Sequence, residues 1–367
     1  MKLLIVYHYI AHYRLPIFKE LKTSKKIDVN IAAGIDTEAN IKVVQPDELG
    51  YEVLKNKWLF NKKILWQSGL LKLIFRRYDY YIFLGNPYFL STWFSMILCK
   101  IMGKKTSIWA HGVTFDLSKG KKIILKTFWS FCDKIYVYGH YAKNKMISYG
   151  VNAEKIIVIY NSLDYKNQIK IRNNFVKSNL YTDYFKNSDP VLIFTGRLTK
   201  IKKLHQILEA MKILKDKNIF CNLIFIGDGE ERERLEKLVQ ELSLGNRVWF
   251  YGACYDDDLI GDFFMNANVC VAPGNVGLTA MHSLVFGVPI ITHSSFEAQM
   301  PEFEAIEDKV TGSFFEKDNV RDLAEKIKYW LLMDKEQIKK HREECFKVID
   351  EKYNPVTQRQ ILEKSLQ

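Results

Sequence analysis

Short runs of consecutive apolar residues recur along this chain, separated by stretches with helical spacing, and that alternation restricts the fold more than any other feature. Residues 3–7, Leu-Leu-Ile-Val-Tyr, form the first run. Further runs at 28–33, 80–84, 106–110 and 134–138 repeat it. A strand that is apolar at every position is buried on both faces, so these strands imply a parallel sheet covered by helices on each side. The first helix is expected from about Leu15.

Composition shifts after residue 164. The segment 164–189 is polar, rich in Asn and Lys, and lacks an apolar helical stripe, which marks a linker. A second alternation then begins with the strand 191–194. Leu204, Ile207, Leu208, Met211 and Leu214 form one helical stripe. Strands are expected at 222–226, 247–251, 269–272 and 288–292, and a charged helix at 230–242. The expected fold class is therefore α/β, with two Rossmann-like domains facing across a cleft. The boundaries read as 1–165, a linker at 166–189, a second domain at 190–345 and a C-terminal helical segment at 346–367 that packs back on the first domain. A length of 367 residues suits two such domains.

Open parallel sheets bind ligands at the carboxyl ends of their strands, so the residues that follow each strand are the candidates for chemistry. The strongest segment runs from Phe194 through Gly196-Arg197-Leu198 to Lys202-Lys203. A strand ends at Gly196 and a helix starts near Lys203, which sets Arg197 and Lys202 beside a helix N-terminus. Two fixed cations and free amide donors are what a diphosphate requires. The competing reading is a solvated basic turn. The second segment, Gly274-Asn275-Val276-Gly277-Leu278-Thr279, leads from a strand into a helix carrying His282. Its competing reading is an ordinary strand-to-helix turn. On that helix Leu278, Met281 and Val285 should pack on the core, leaving Thr279, His282 and Phe286 to look toward the cleft.

With both segments in place, nearly the whole chain resembles the retaining glycosyltransferases of the GT-B fold, of the large family 4 type that builds bacterial surface polysaccharides. Gly196-Arg197-Leu198 with Lys202 matches the family's glycine-arginine-leucine motif and diphosphate lysine. Ile226-Gly227-Asp228-Gly229, Asn161-Ser162-Leu163-Asp164, Gly287-Val288-Pro289, Trp109-Ala110-His111-Gly112 and Tyr13-Arg14-Leu15-Pro16 match further family segments. One departure stands out. The two glutamates the family carries around the donor-site turn and helix align with Gly274 and His282. His282 is expected on the donor ribose in place of one of them. Glu302 and Glu304 are nearby acids for sugar or ribose hydroxyls, or else solvated loop charges.

The resemblance implies transfer of a hexose-type sugar from a UDP- or GDP-sugar to a glycan acceptor, lipid-linked, with retention of configuration. Arg197, Lys202 and His111 are the residues expected to carry it. Gly196, Gly227, Gly274, Asn275, Val276, Gly277, Leu278, Thr279, His282, Glu302 and Glu304 are those expected around the donor. His111 follows the strand 106–110, which aims it at the cleft; a structural histidine is the alternative. No cofactor or metal is expected. Asp256-Asp257-Asp258 fits the first turn of a helix better than a metal site, and His8 and His12 share a metal-like spacing only in a loop.

Net charge of +12 calls for an anionic partner. Aromatic content of 14% and two aromatic–basic stretches, 88–105 and 121–129, point to an anionic membrane surface or else to helices that cover the sheet. No stretch is long and clean enough to span a bilayer, and the N-terminal run is too short for a signal peptide. Six cysteines without a CxxC pair read as buried thiols. The expected location is cytoplasmic, peripheral on the inner face of the membrane. A sugar-nucleotide epimerase is the alternative enzyme, disfavoured by the aromatic, basic N-terminal half. A nucleic-acid binder is less favoured still, because the charge is spread over both halves and no nucleic-acid motif is present.

Overall fold

A computed structural model describes residues 1–36 and 41–367. The chain forms two compact units, Met1–Asp164 with Asn354–Gln367, and Tyr165–Tyr353.

In the first unit the strands are β1 (Lys2–Tyr7), β2 (Asp28–Ala33), β3 (Glu52–Val53), β4 (Lys55–Leu59), β5 (Ile64–Ser68), β6 (Tyr80–Leu84), β7 (Lys105–Ala110), β8 (Lys134–Val137) and β9 (Ile156–Val158). Its helices are α1 (Leu15–Lys22), α2 (Pro46–Leu49), α3 (Leu70–Ile74), α4 (Leu90–Ile101), α5 (Lys119–Ser130) and α6 (His140–Ser148). Seven strands make one parallel sheet in the order β3-β2-β1-β6-β7-β8-β9, while β4 and β5 pair as a separate antiparallel hairpin. The reason the first strand is apolar throughout is visible in its packing. Leu3, Ile5 and Tyr7 enter the core on one face of the sheet, and Leu4 and Val6 enter the core on the other. Burial of each such side chain contributes about 1.5–3 kcal/mol.

The second unit holds α7 (Tyr165–Asn173), α8 (Leu180–Phe185), β10 (Val191–Thr195), α9 (His205–Asp216), β11 (Asn222–Ile226), α10 (Arg232–Glu241), β12 (Val248–Gly252), α11 (Asp257–Asn266), β13 (Val269–Val271), α12 (Leu278–Val285), β14 (Ile290–His293), β15 (Gly312–Phe315), α13 (Val320–Leu331) and α14 (Lys335–Glu351). Its parallel sheet runs β12-β11-β10-β13-β14-β15. In both sheets the chain fills one side and then jumps to the other, between β1 and β6 and between β10 and β13. Such switch points open a crevice at the carboxyl ends of the strands.

Two boundaries differ from the sequence reading. The segment 166–189 is no linker: α7 and α8 belong to the second unit, and the buried Tyr181 hydroxyl donates to the Phe263 carbonyl at 2.7 Å. Its many Asn and Lys residues line the outer sides of helices held by a few buried contacts. The segment 346–367 is divided. Residues up to Tyr353 stay with the second unit, where Arg172 pairs with Asp350 at 2.9 Å. The final helix, α15 (Pro355–Ser365), packs on α1, with Arg359 bonded to Glu20 at 2.8 Å.

The aromatic–basic helices do two things. Helix α4 buries Ser91, Ser95, Met96 and Cys99 against the sheet and exposes Phe94, Ile97 and Ile101. Helix α5 buries Phe128 and Trp129 and exposes Ile123 and Ile124 among its lysines. Among the described residues no helix is long and apolar enough to cross a membrane. All six cysteines are free thiols, five of them buried, and Cys254 is half-buried.

Candidate functional site

In the second unit the switch point lies between the loops that leave β10 and β13. The β10 loop is fixed by backbone bonds to its neighbour: Gly196 N–H donates to Ile226 O at 2.9 Å and Leu198 N–H to Asp228 O at 3.0 Å. The two loops approach so closely that a Cβ on Gly227, at φ 144°, would stand 2.0 Å from Gly196 O. Leu198 is fully buried and pins the loop, which leaves Arg197 exposed at the strand's end. Lys202 is half-buried in the short turn that follows, and its Nζ donates to Asn275 O at 2.8 Å. That bond joins the two segments singled out in the sequence. Burial lowers the Lys202 pKa to about 8; Glu302 opposes the shift and Arg197 adds to it.

The β13 turn is braced from below. Thr292 on β14 donates its hydroxyl to Ala272 O at 2.8 Å. Gln299 accepts from Val276 N–H at 2.7 Å and donates to Thr292 Oγ1 and His293 O, both at 2.9 Å. Nothing in the local sequence marks Gln299, because its role depends on three partners brought to it by the sheet. Asn275 is half-buried, with its Oδ1 shielded and without a hydrogen-bond partner among the described residues. Gly277 and Val276 are buried, and Leu278 is half-buried.

Gly274 is there for space. A Cβ at 274 would lie 2.1 Å from Ile201 O and 2.5 Å from Lys202 Cα, so no glutamate fits this backbone. Glu302 is 2% exposed, not a solvated loop charge, and Glu304 is half-buried beside it in the turn Pro301–Ala305.

Helix α12 corrects the face assignment. Thr279 is buried and donates to Thr195 O at 2.9 Å, and Phe286 is buried against Phe264 with ring centroids 6.1 Å apart. His282 is half-buried, stacks on Phe264 at 6.4 Å and 11°, and meets Gln168 Nε2 through Nδ1 at 3.5 Å. This face is a packing face. Helices α7 and α11 cover it, and α7 comes from the segment read as a linker. Burial lowers the His282 pKa to about 4. Asp256 serves as the N-cap of α11, accepting from Leu259 N–H at 3.1 Å, with Asp257 and Asp258 in the first turn.

In the first unit the switch point opens a cavity of about 370 Å³. Tyr7 and His8 reach it from the end of β1, Gly85 and Asn86 from β6, His111 from β7 and Tyr138 from β8. His111 is solvent-accessible at its mouth, and its ring lies 4.9 Å from that of Tyr138. Crowding by protein atoms, and then the charge of Arg14, disfavour its protonation. His8 lines the cavity while His12 is exposed, so their spacing does not make a paired site.

Two family models match the chain. The one described as "Glycosyl transferases group 1" covers residues 182–347, and "Glycosyltransferase Family 4" covers 26–167. An uncharacterized glycosyltransferase of Methanocaldococcus jannaschii is 29% identical over 150 residues, 38% of this chain and 37% of that one. The poly(ribitol-phosphate) alpha-N-acetylglucosaminyltransferase of Staphylococcus aureus is 23% identical over 183 residues, 48% of this chain and 36% of that one. The chain thus matches little more than a third of the length of these relatives. Among solved structures, Anabaena HepE in complex with UDP superposes with a TM-score of 0.76 at 16% identity, covering 100% of this chain and 99% of that one. A glycosyltransferase from Rickettsia africae gives 0.73 at 17% identity, covering 99% and 97%. At these identities the structural likeness establishes the fold.

Proposed function

Because the chain belongs to the GT-B glycosyltransferases of the family 4 type, we propose that it transfers a sugar from a nucleoside-diphosphate donor to a glycan acceptor. The observation that carries this reading is the join between the two donor-side loops: Arg197 at the end of β10, and Lys202 bonded to Asn275 O in the β13 turn. A diphosphate laid across these loops meets two cations and the amides of a fixed turn. As the sugar leaves, charge grows on the diphosphate, and donors that are already in place stabilise it without reorganising. The sugar passes through an oxocarbenium-like state, with the acceptor arriving on the face the diphosphate leaves, so configuration is retained. Lys202 remains largely protonated at neutral pH, and an arriving anion raises its pKa further.

Binding of UDP by Anabaena HepE favours a nucleoside-diphosphate donor here as well. Arg197 and Lys202 supply the counter-charge, so the reaction needs no metal. The exposed apolar residues of α4 and the lysines of α5 support a peripheral position on an anionic membrane, at its cytoplasmic face, with a lipid-linked acceptor in surface polysaccharide synthesis. The test is a thermal-shift screen with UDP, GDP and their sugars, because a ligand that binds the folded state raises the melting temperature in proportion to the logarithm of its excess over Kd. Absence of a shift with every nucleoside diphosphate overturns the reading. A donor returned with an altered sugar, and no acceptor product, means an epimerase instead.

A further inference from the structure

Among the described residues, the cavity at the first unit's switch point is lined by one buried cation and no acid. Arg14 ends a single turn of 3-10 helix before α1 and is 6% exposed. Its guanidinium lies 4.7 Å from the Trp109 ring and 5.5–5.6 Å from those of Tyr7, Phe18 and Tyr138. Nη1 donates to the Tyr138 hydroxyl at 2.7 Å and Nη2 to the Tyr7 hydroxyl at 3.0 Å. A guanidinium has five N–H donors, so most remain unused, and Nε is buried with no partner among the described residues. No Asp or Glu among the described residues lines the cavity.

A buried charge is ordinarily paired, since leaving water is costly without a counter-charge. Four aromatic faces and two neutral phenols offset part of that cost, but they supply no anion. The protein therefore holds a cation, with spare donors, on the wall of a cavity large enough for a sugar ring. The rest of the wall suits a carbohydrate: Tyr9, Tyr13 and His111 offer ring faces, and Asn86 and His8 offer hydrogen bonds.

Resting on the glycosyltransferase reading, we propose that this cavity receives the acceptor and selects one whose terminal sugar carries an anionic group, a carboxylate or a phosphate, held by the unused N–H donors of Arg14. The neutral histidines and amides then grip the sugar hydroxyls. Discrimination follows from the cation: a neutral acceptor leaves it uncompensated, whereas an anionic one pairs it.

The experiment compares methyl glucoside, methyl glucuronide and glucose 6-phosphate by calorimetry and by amide shifts in the full chain. The charged probes are expected to bind at least about tenfold more tightly than the neutral one, which corresponds to roughly 1.4 kcal/mol. They should shift Gly85, Asn86 and Gly112 in the wild type, and bind equally well when Arg197 and Lys202 are both alanine. Whichever charged probe binds more tightly identifies the anion. Arg14→Met should abolish the preference, and Arg14→Lys should retain part of it. Equal binding of neutral and charged probes, no binding at all, shifts confined to the surroundings of Arg197, or full charged-probe binding by a folded Arg14→Met protein each overturns the proposal. If Arg14→Met does not fold, the wild-type shift map decides. UDP binding is measured separately, so a failed donor site and a failed acceptor pocket are told apart.

Discussion

Replacing Gln299 with leucine should loosen the donor-side turn with little change in side-chain volume. The wild-type amide makes three hydrogen bonds in a site where it is 4% exposed. Leucine makes none. The Thr292 hydroxyl keeps its bond to Ala272 O, but Val276 N–H and one lone pair of His293 O lose a partner. An orphaned buried polar group costs about 1–3 kcal/mol, so the pair costs roughly 2–6. Relaxation of the turn toward water puts the expected loss near about 3 kcal/mol. For a unit of this size that is a fall in melting temperature of roughly 6–12 °C. Circular dichroism melts of the full chain, with and without UDP, measure it, and calorimetry should show donor affinity down at least about tenfold. Gln299→Glu probes the donor side, because a carboxylate still accepts from Val276 N–H yet cannot donate to His293 O. Because it buries a charge without a counter-charge and sets an oxygen against the His293 carbonyl, it should destabilise the unit at least as much as leucine at neutral pH. A Gln299→Leu protein that melts within about 1 °C of wild type and binds UDP as tightly refutes the reasoning.

Arg197→Ala and Lys202→Ala should each remove about 2–4 kcal/mol of transition-state stabilisation, seen as a loss of transfer rate in an assay with saturating acceptor. Transfer should persist in EDTA; complete loss, restored by magnesium or manganese, means that a metal carries the diphosphate. Anionic liposomes should float with the protein at low salt and release it at high salt, and Ile101→Glu, on the exposed face of α4, should weaken the capture. Acid should destabilise the second unit. His282 and His293 are held to a pKa of about 4 in the folded state, chiefly by burial, whereas an unfolded histidine titrates near 6.5. The unfolded chain therefore binds the extra protons, and stability falls as pH drops from about 6.5 toward 4, by on the order of 1 kcal/mol per pH unit for each histidine. Urea melts across that range check the slope, and a flat profile removes these two residues from the account.

Sheet strands were the most legible part of the fold. The runs at 28–33, 80–84 and 222–226 coincide with β2, β6 and β11, and others differ by a residue or two at their ends. The strands that escaped notice are β3, both of whose residues are exposed, the three-residue β9, of which one residue is fully buried, the four-residue β15, and the hairpin of β4 and β5, where burial alternates along each strand. The segment 166–189 was misread for a related reason. Helices α7 and α8 bury only a few residues, Gln168, Tyr181 and Phe185 among them, so no apolar stripe announces them. The face of α12 is hidden in the sequence for the same reason, because α7 covers the side that a linker would leave open.

By itself the sequence determined which segments are the central strands, since a strand sandwiched between helices is apolar at most of its positions. It also determined where the loops leave their strands, since Gly196 and Gly227 occupy backbone that resists a side chain. What the sequence does not contain is strand order. Placing β13 beside β10 brings Lys202 to Asn275, and the order of β13, β14 and β15 brings Thr292 and Gln299 under the turn, from residues far apart along the chain. The same holds for Arg14, whose aromatic surroundings come from β1, α1, β7 and the residue after β8. Such contacts depend on which strands are neighbours, a choice made by the packing of the whole sheet and written at no single position.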